Sequence, residues 1–146
     1  MKYLLDTNVL SEPLKIQPDA IVMERLQQYQ NHIVTATIVL HELYFGCYQL
    51  PPSRKEKSIK KYIDEVVVAN IPMYSYNEDA AEWHAYERAR LKSIGQTPPF
   101  VDGQIAAIAH VNNLILVTRN ITDFSSFSDL QIQCWHSGNM GTFPLQ

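Results

Sequence analysis

Residues 2–8 read Lys2-Tyr3-Leu4-Leu5-Asp6-Thr7-Asn8. The segment is apolar through Leu5 and then turns polar at once, which predicts a short buried strand over residues 2–5 with an acid at its carboxyl end. The same design recurs down the chain. Ile33 to Ala36 follows the turn-like Asn31-His32, and residues 71–74 and 114–117 make two more strands. Residues 130–134 read as a weaker fifth. Between these runs the apolar period becomes helical. Pro18-Asp19 opens a helix to about Tyr29, and from Thr37 the positions Val39, Leu40, Leu43, Cys47 and Leu50 share a face until Pro51-Pro52 stops it. Ser53 with Glu56 forms a capping-box pattern, followed by an apolar face of Ile59, Tyr62, Ile63, Val66 and Val67. Asn77-Glu78-Asp79 starts a further helix that runs to Ile94 with Gly95 beyond it. After Pro98-Pro99, a last one buries Val101, Ile105, Ile108 and Ala109. Strands alternating with helices predict an α/β protein: a three-layer α/β/α domain around a central, mostly parallel sheet of four to five strands. In such sheets ligands sit outside the carboxyl ends of the strands, where the strand order reverses.

The 146 residues fit a single domain spanning 1–146. With 46% hydrophobic and 18% charged residues, the chain is neither a disordered polymer nor a coiled coil. No apolar run is long enough to cross a bilayer, and Asp6 interrupts the N-terminal one too early for a secretory signal. Two cysteines without metal-ligand spacing fit reduced thiols, so a cytoplasmic chain with no membrane partner is expected. A net charge of −3 argues against binding nucleic acid through global positive charge, while leaving room for a local grip on a short stretch.

Four carboxylates stand in awkward places. Asp6 follows the first strand. Glu42 lies within the helix after the second strand, Asp102 in the first turn of a helix, and Asp123 a few residues past the fourth strand. Each has apolar neighbours that draw it toward the protein body, where an unpaired carboxylate is costly. Arg119 is the only obvious nearby cation. Each acid taken alone has a bland reading: Asp6 as a turn or cap residue, Asp102 as a helix-start acid, Asp123 as the cap of a short turn. Glu42, in mid-helix, is the hardest to explain that way. Together they suggest hard oxygen ligands for a divalent cation, Mg²⁺ with Mn²⁺ as the alternative. No glycine-rich dinucleotide or phosphate loop occurs, no nucleophile elbow, and no zinc spacing among His41, His84 and His110. The basic run from Arg54 to Lys61 reads first as a solvated helix face and second as an RNA contact.

The blocks Leu4-Leu5-Asp6-Thr7-Asn8-Val9-Leu10-Ser11-Glu12, Glu42-Leu43-Tyr44-Phe45-Gly46, Asp102-Gly103-Gln104-Ile105-Ala106-Ala107 and Val117-Thr118-Arg119-Asn120 with Asp123-Phe124 resemble, in order and spacing, the four motifs of the PIN-domain nucleases. The likeness is to the VapC-type toxins of type II toxin–antitoxin pairs in particular. It implies a Mg²⁺-dependent endoribonuclease with Asp6, Glu42, Asp102 and Asp123 as its acids. Asp6 and Asp102, then Glu42, are the metal ligands it implies. Thr7, Asn8, Thr118 and Asn120 would orient ligands or water, and Arg119 would touch RNA. It further implies a cognate antitoxin protein and a homodimer. One departure stands out: Asn120 occupies the position where many PIN domains carry an Asp, which leaves two roles open for Asp123, one turn later: the fourth carboxylate, or a residue that only supports the ligands. A PIN-like module without catalysis, and an RNA-processing nuclease without an antitoxin, are the competing readings.

Overall fold

The computed structural model of the chain describes residues 1–139. Five strands form one sheet: β1 (Tyr3–Leu5), β2 (Ile33–Ala36), β3 (Met73–Tyr74), β4 (Ile115–Val117) and β5 (Ile132–Gln133). Their order is β3-β2-β1-β4-β5, and every neighbouring pair is parallel. The register is tight at the centre, with Leu4 opposite both Val34 and Leu116. The mostly parallel sheet that the sequence predicts is parallel throughout. Each strand returns through a helical crossover, and that connection requires parallel neighbours. The third strand is shorter than the 71–74 run predicts, since only Met73 and Tyr74 reach the edge ladder.

The helices are α1 (Thr7–Leu10), α2 (Ala20–Gln28), α3 (Thr37–Tyr48), α4 (Arg54–Tyr62), α5 (Glu78–Ser93), α6 (Phe100–Val111) and α7 (Ile121–Phe124). The connections up to β3 lead outward one way from β1, and those after β3 lead back the other way. Right-handed crossovers therefore place α1–α4 and α5–α7 on opposite faces. All four residues of β2 and all three of β4 are buried, as a sheet covered on both sides demands. Asp19 caps α2 by accepting from Ile21 N and Val22 N, Ser53 caps α4 through Glu56 N, and Asn77 caps α5 through Ala80 N. Gly95 ends α5 at φ 80°, a left-handed turn that glycine makes without strain.

Two stripes differ from expectation. Val66 is exposed, whereas the apolar pattern after Ser53 predicts it on the inner face of that helix. Residues Ile63–Val68 continue α4 as a π-helix, whose wider turn keeps Ile63 and Val67 inward and rotates Val66 out. Val101 is likewise exposed, because the first turn of α6 projects beyond the sheet and burial begins at Gly103. There α5 and α6 pack so closely that a Cβ on Gly103 would collide with the His84 ring at Nε2. That close approach fixes the start of α6, and with it the neighbouring Asp102.

Candidate active site at the strand-order switch

The strand order reverses at β1, which pairs β2 on one side and β4 on the other. Asp6 leaves β1 at this point. Its amide donates to Val117 O of β4 at 2.9 Å, and the residue is only 7% exposed. Oδ1 accepts from Thr7 N at 2.8 Å, which caps α1, and Oδ2 accepts from the Thr118 hydroxyl at 2.8 Å. Thr118 is itself saturated: Oγ1 accepts from Asn120 N at 3.1 Å and from Asn8 Nδ2 at 3.4 Å. Asn8 Oδ1 in turn accepts from Arg119 N at 3.0 Å. Thr7 Oγ1 donates to Glu42 Oε1 at 2.8 Å, which ties α3 to the same centre. The polar residues of the first and fourth motifs thus form one hydrogen-bonded ring around Asp6.

Asp102 enters from the first turn of α6 and Asp123 from α7. Burial pushes the Asp102 carboxyl up to about 6, and the charges of Asp123, Asp6 and Glu42 add to the rise. Burial also raises Asp6, and Glu42 and Asp123 add to that; the hydrogen bonds from Thr118 and Thr7 work the other way. The four acids therefore share one field. None of the ion pairs among the described residues involves any of them. Arg119 is exposed and gives the ring its main-chain amide. A set of hard oxygen donors with mutual repulsion and no internal cation suits a divalent metal ion. Among the described residues no group of three or more His, Cys, Asp or Glu forms a ready-made metal cage. An ion that keeps several of its own waters, as Mg²⁺ does, needs no such cage.

Asn120 lies at the N-cap of α7 and makes no side-chain cap hydrogen bond, while Asp123 is exposed one turn later. The basic run of α4 lies elsewhere and is partly neutralised: Lys60 pairs with Asp64 at 2.7 Å and Lys61 approaches Glu65 at 4.0 Å. His84 is buried against Tyr76 at 2.9 Å, and Trp135 is fully buried and stacks on Tyr29.

Sequence reasoning missed a second group of acids. Glu12, 2% exposed, accepts from Asp19 N at 2.9 Å, Lys15 Nζ at 3.0 Å and His136 Nε2 at 3.2 Å. Asp19 accepts from Ser137 N and Oγ as well as from its own helix. Glu87, 1% exposed, holds Arg90 through two bonds of 2.9 Å and Ser128 N at 2.6 Å. The one local signal was the acid Glu12 inside a motif block; its partner His136 stands 124 residues away, beyond any local pattern.

The PIN domain family model matches residues 3–129. Toxin FitB of Neisseria gonorrhoeae is 28% identical over 139 residues, covering 91% of this chain and 98% of that protein. The tRNA(fMet)-specific endonuclease VapC of Shigella flexneri is 30% identical over 137 residues, covering 92% and 98%. The solved structure of FitAB bound to an IR36 DNA fragment superposes with a TM-score of 0.84 at 27% identity, over 92% of this chain and 96% of that one. The matched span contains all four acids and the whole ring around Asp6, and on that ground the chain belongs to the PIN-domain family.

Proposed function

We propose that the chain is a divalent-metal-dependent endoribonuclease, the toxin of a toxin–antitoxin pair, with Mg²⁺ as its ion and Mn²⁺ as a substitute. The observation that carries this reading is the convergence of Asp6, Glu42, Asp102 and Asp123 in one field: burial and the neighbouring carboxylates raise Asp6 and Asp102, and none of the ion pairs among the described residues involves any of the four. Asp6 and Asp102 would hold the ion, Glu42 would support them, and Asp123 would complete the charge from α7. When bound, such an ion supplies positive charge at the scissile phosphate and activates water for in-line attack. The chain's own part is positioning. Thr118 and the Thr7 amide aim the two oxygens of Asp6, and Thr7 Oγ1 aims Glu42. Hydrogen bonds of this kind fix the orientation of the carboxylates and favour their ionised, ligating form. An unpaired RNA segment suits an open rim of this kind, where an unstacked strand brings its phosphates to the ion.

The antitoxin assignment rests on family and on shape. FitB carries the name toxin, and a solved structure in the family shows FitAB as an assembly on DNA. In this chain a groove of about 970 Å³ runs between α2 and the π-helical segment, with Leu10, Met23, Leu26, Tyr62 and Val66 in its wall. An amphipathic segment of a partner would fill it in the helix-in-groove manner. The same partner would silence the acids by placing an Arg or Lys among them. Expression of the full chain alone should arrest growth. Purified protein should cut RNA in Mg²⁺, stop in EDTA, and be silenced by the protein encoded beside it. Harmless expression with no RNA cleavage in either metal would sink the reading in favour of a non-catalytic module. Cleavage with no inhibiting neighbour would point to RNA processing.

A further inference from the structure

Beside the acidic centre, at the same end of the sheet, lies a polar cleft of about 250 Å³ lined by Glu12, Lys15, Gln17, Asp19, Arg119 and His136. We propose that this cleft is a subsite for a backbone phosphate of the RNA, flanking the scissile one, with Arg119 and Lys15 as its cations. The inference rests on the nuclease reading above and adds where the strand runs. It starts from what is already committed in the wall. Both carboxylates are spent on internal donors: Glu12 on Asp19 N, Lys15 and His136, and Asp19 on Ile21 N, Val22 N and Ser137. Both are held below the usual carboxylate range despite their burial, Asp19 at about 2, and the donors around them are the reason.

Two cations face the cleft. Arg119 joins none of the ion pairs among the described residues, although four carboxylates stand next door. The Lys15 side chain is 47% exposed and spends one contact on Glu12. His136, whose Nε2 donates to Glu12, adds a buried Nδ1 with no hydrogen-bond partner among the described residues. The link to the acidic centre is covalent and short: Arg119 follows Thr118, whose hydroxyl holds Asp6, and the Arg119 amide is pinned by Asn8. A strand that brings one phosphate to the acids therefore has a guanidinium within reach, carried on a main chain that Asn8 holds in place. On the rival basic surface of α4, Lys60 and Lys61 answer Asp64 and Glu65, and no ion pair among the described residues ties that helix to the acidic centre.

The test is a titration of the ¹⁵N-labelled full chain, in EDTA to prevent cleavage, with a short single-stranded oligoribonucleotide and separately with inorganic phosphate. The oligonucleotide should shift the amides of Gln17, Arg119 and Gly138. In the Lys15→Ala/Arg119→Ala variant its affinity should fall about tenfold, and the slope of log affinity against log salt should become shallower by about 0.7 for each lost phosphate contact. Arg119→Lys should keep most of the affinity. Inorganic phosphate should reach the same amides far more weakly. Tight binding of phosphate that the oligonucleotide does not displace would overturn the proposal in favour of a free-anion site. Oligonucleotide shifts that spare the cleft, or an unchanged salt slope in the double variant, would also overturn it. RNA that occupies the cleft of a protein unable to cut in Mg²⁺ would uphold the subsite and contradict the nuclease reading instead.

Discussion

Two groups of carboxylates stand at the same end of one sheet and differ in one respect. Glu12 and Asp19 are surrounded by donors, and their protonation is pulled down, Asp19 to about 2. Asp6 and Asp102 have mainly burial and one another, and their protonation is pushed up, Asp102 to about 6. A protein that compensates one set of acids so fully has not left the other unpaired for want of cations. The first group holds the chain together: it joins the 3₁₀ turn at Glu12–Leu14 and the start of α2 to the segment after β5. The second stores repulsion that an incoming cation relieves. Burial alone does not separate the two sets, since Asp6 and Glu12 are both nearly inaccessible.

The largest expected effect comes from removing charge at the uncompensated set. Asp6→Asn should lower RNA cleavage roughly 100-fold or more, since an amide is a poorer ligand for a hard cation. It should leave the ion-free protein at least as stable as the wild type, as read by thermal unfolding in EDTA. Cleavage near the wild-type rate would remove Asp6 from the site.

The mirror experiment is Glu12→Ala. It strands the Asp19 amide, Lys15 and His136 at once, and breaking a buried charged cluster from one side costs about 3 kcal/mol. The loss should appear in denaturant unfolding, while the protein that remains folded keeps its metal requirement. A Glu12→Ala protein of full stability would erase the contrast between the two groups.

The pH dependence should separate the groups by sign. Asp102 is raised from 3.8 to about 6, so its stabilising contribution is complete below pH 3.8 and is lost as the pH rises through about 6. Asp19 is lowered from 3.8 to about 2, so its contribution is complete above pH 3.8 and is lost as the pH falls toward 2. With a discount for partial exposure, each amounts to about 1–2 kcal/mol. Denaturant midpoints from pH 3 to 8 in EDTA check this: Asp102→Asn should flatten the loss between pH 4 and 7, and Asp19→Asn should flatten the loss below pH 4. A wild-type curve that rises steadily from pH 4 to 7 would contradict the Asp102 assignment.

The smallest effect belongs to Asp123. It is exposed on α7, and its contact with the other acids is through charge. Asp123→Asn should raise the Mg²⁺ needed for half-maximal cleavage only several-fold, about 1 kcal/mol. A loss as large as that at Asp6 would place it among the direct ligands. Asn120→Asp on the Asp123→Asn background should recover part of the loss if the fourth charge is tolerant of position.

Much of this was legible in the residues. The sheet was, because short apolar runs ending in polar residues at Asp6 and Thr118 mark strands buried on both faces, and capping residues at Asp19, Ser53 and Asn77 mark the helices between them. What escaped has physical reasons. The helices Thr7–Leu10 and Ile121–Phe124 are one turn long and show no period. The π-helical turn at Ile63–Val68 changes the angular step, so a 3.6-residue reading put Val66 on the wrong face. The four acids were visible as costly residues, but their shared field depends on crossovers that only the folded chain closes. The Glu12–His136 contact joins the two ends of the described chain, so nothing near either residue announces the other.

The most direct test of the contrast is a thermal-unfolding titration with Mg²⁺ at pH 7, on the wild type and on Asp102→Asn. The uncompensated acids predict that in EDTA Asp102→Asn melts above the wild type. Added Mg²⁺ should then raise the wild type by several degrees and the variant by far less, which reverses their order. A wild type that melts above Asp102→Asn in EDTA and does not respond to Mg²⁺ would show that these carboxylates are structural, and that the account of the site is wrong.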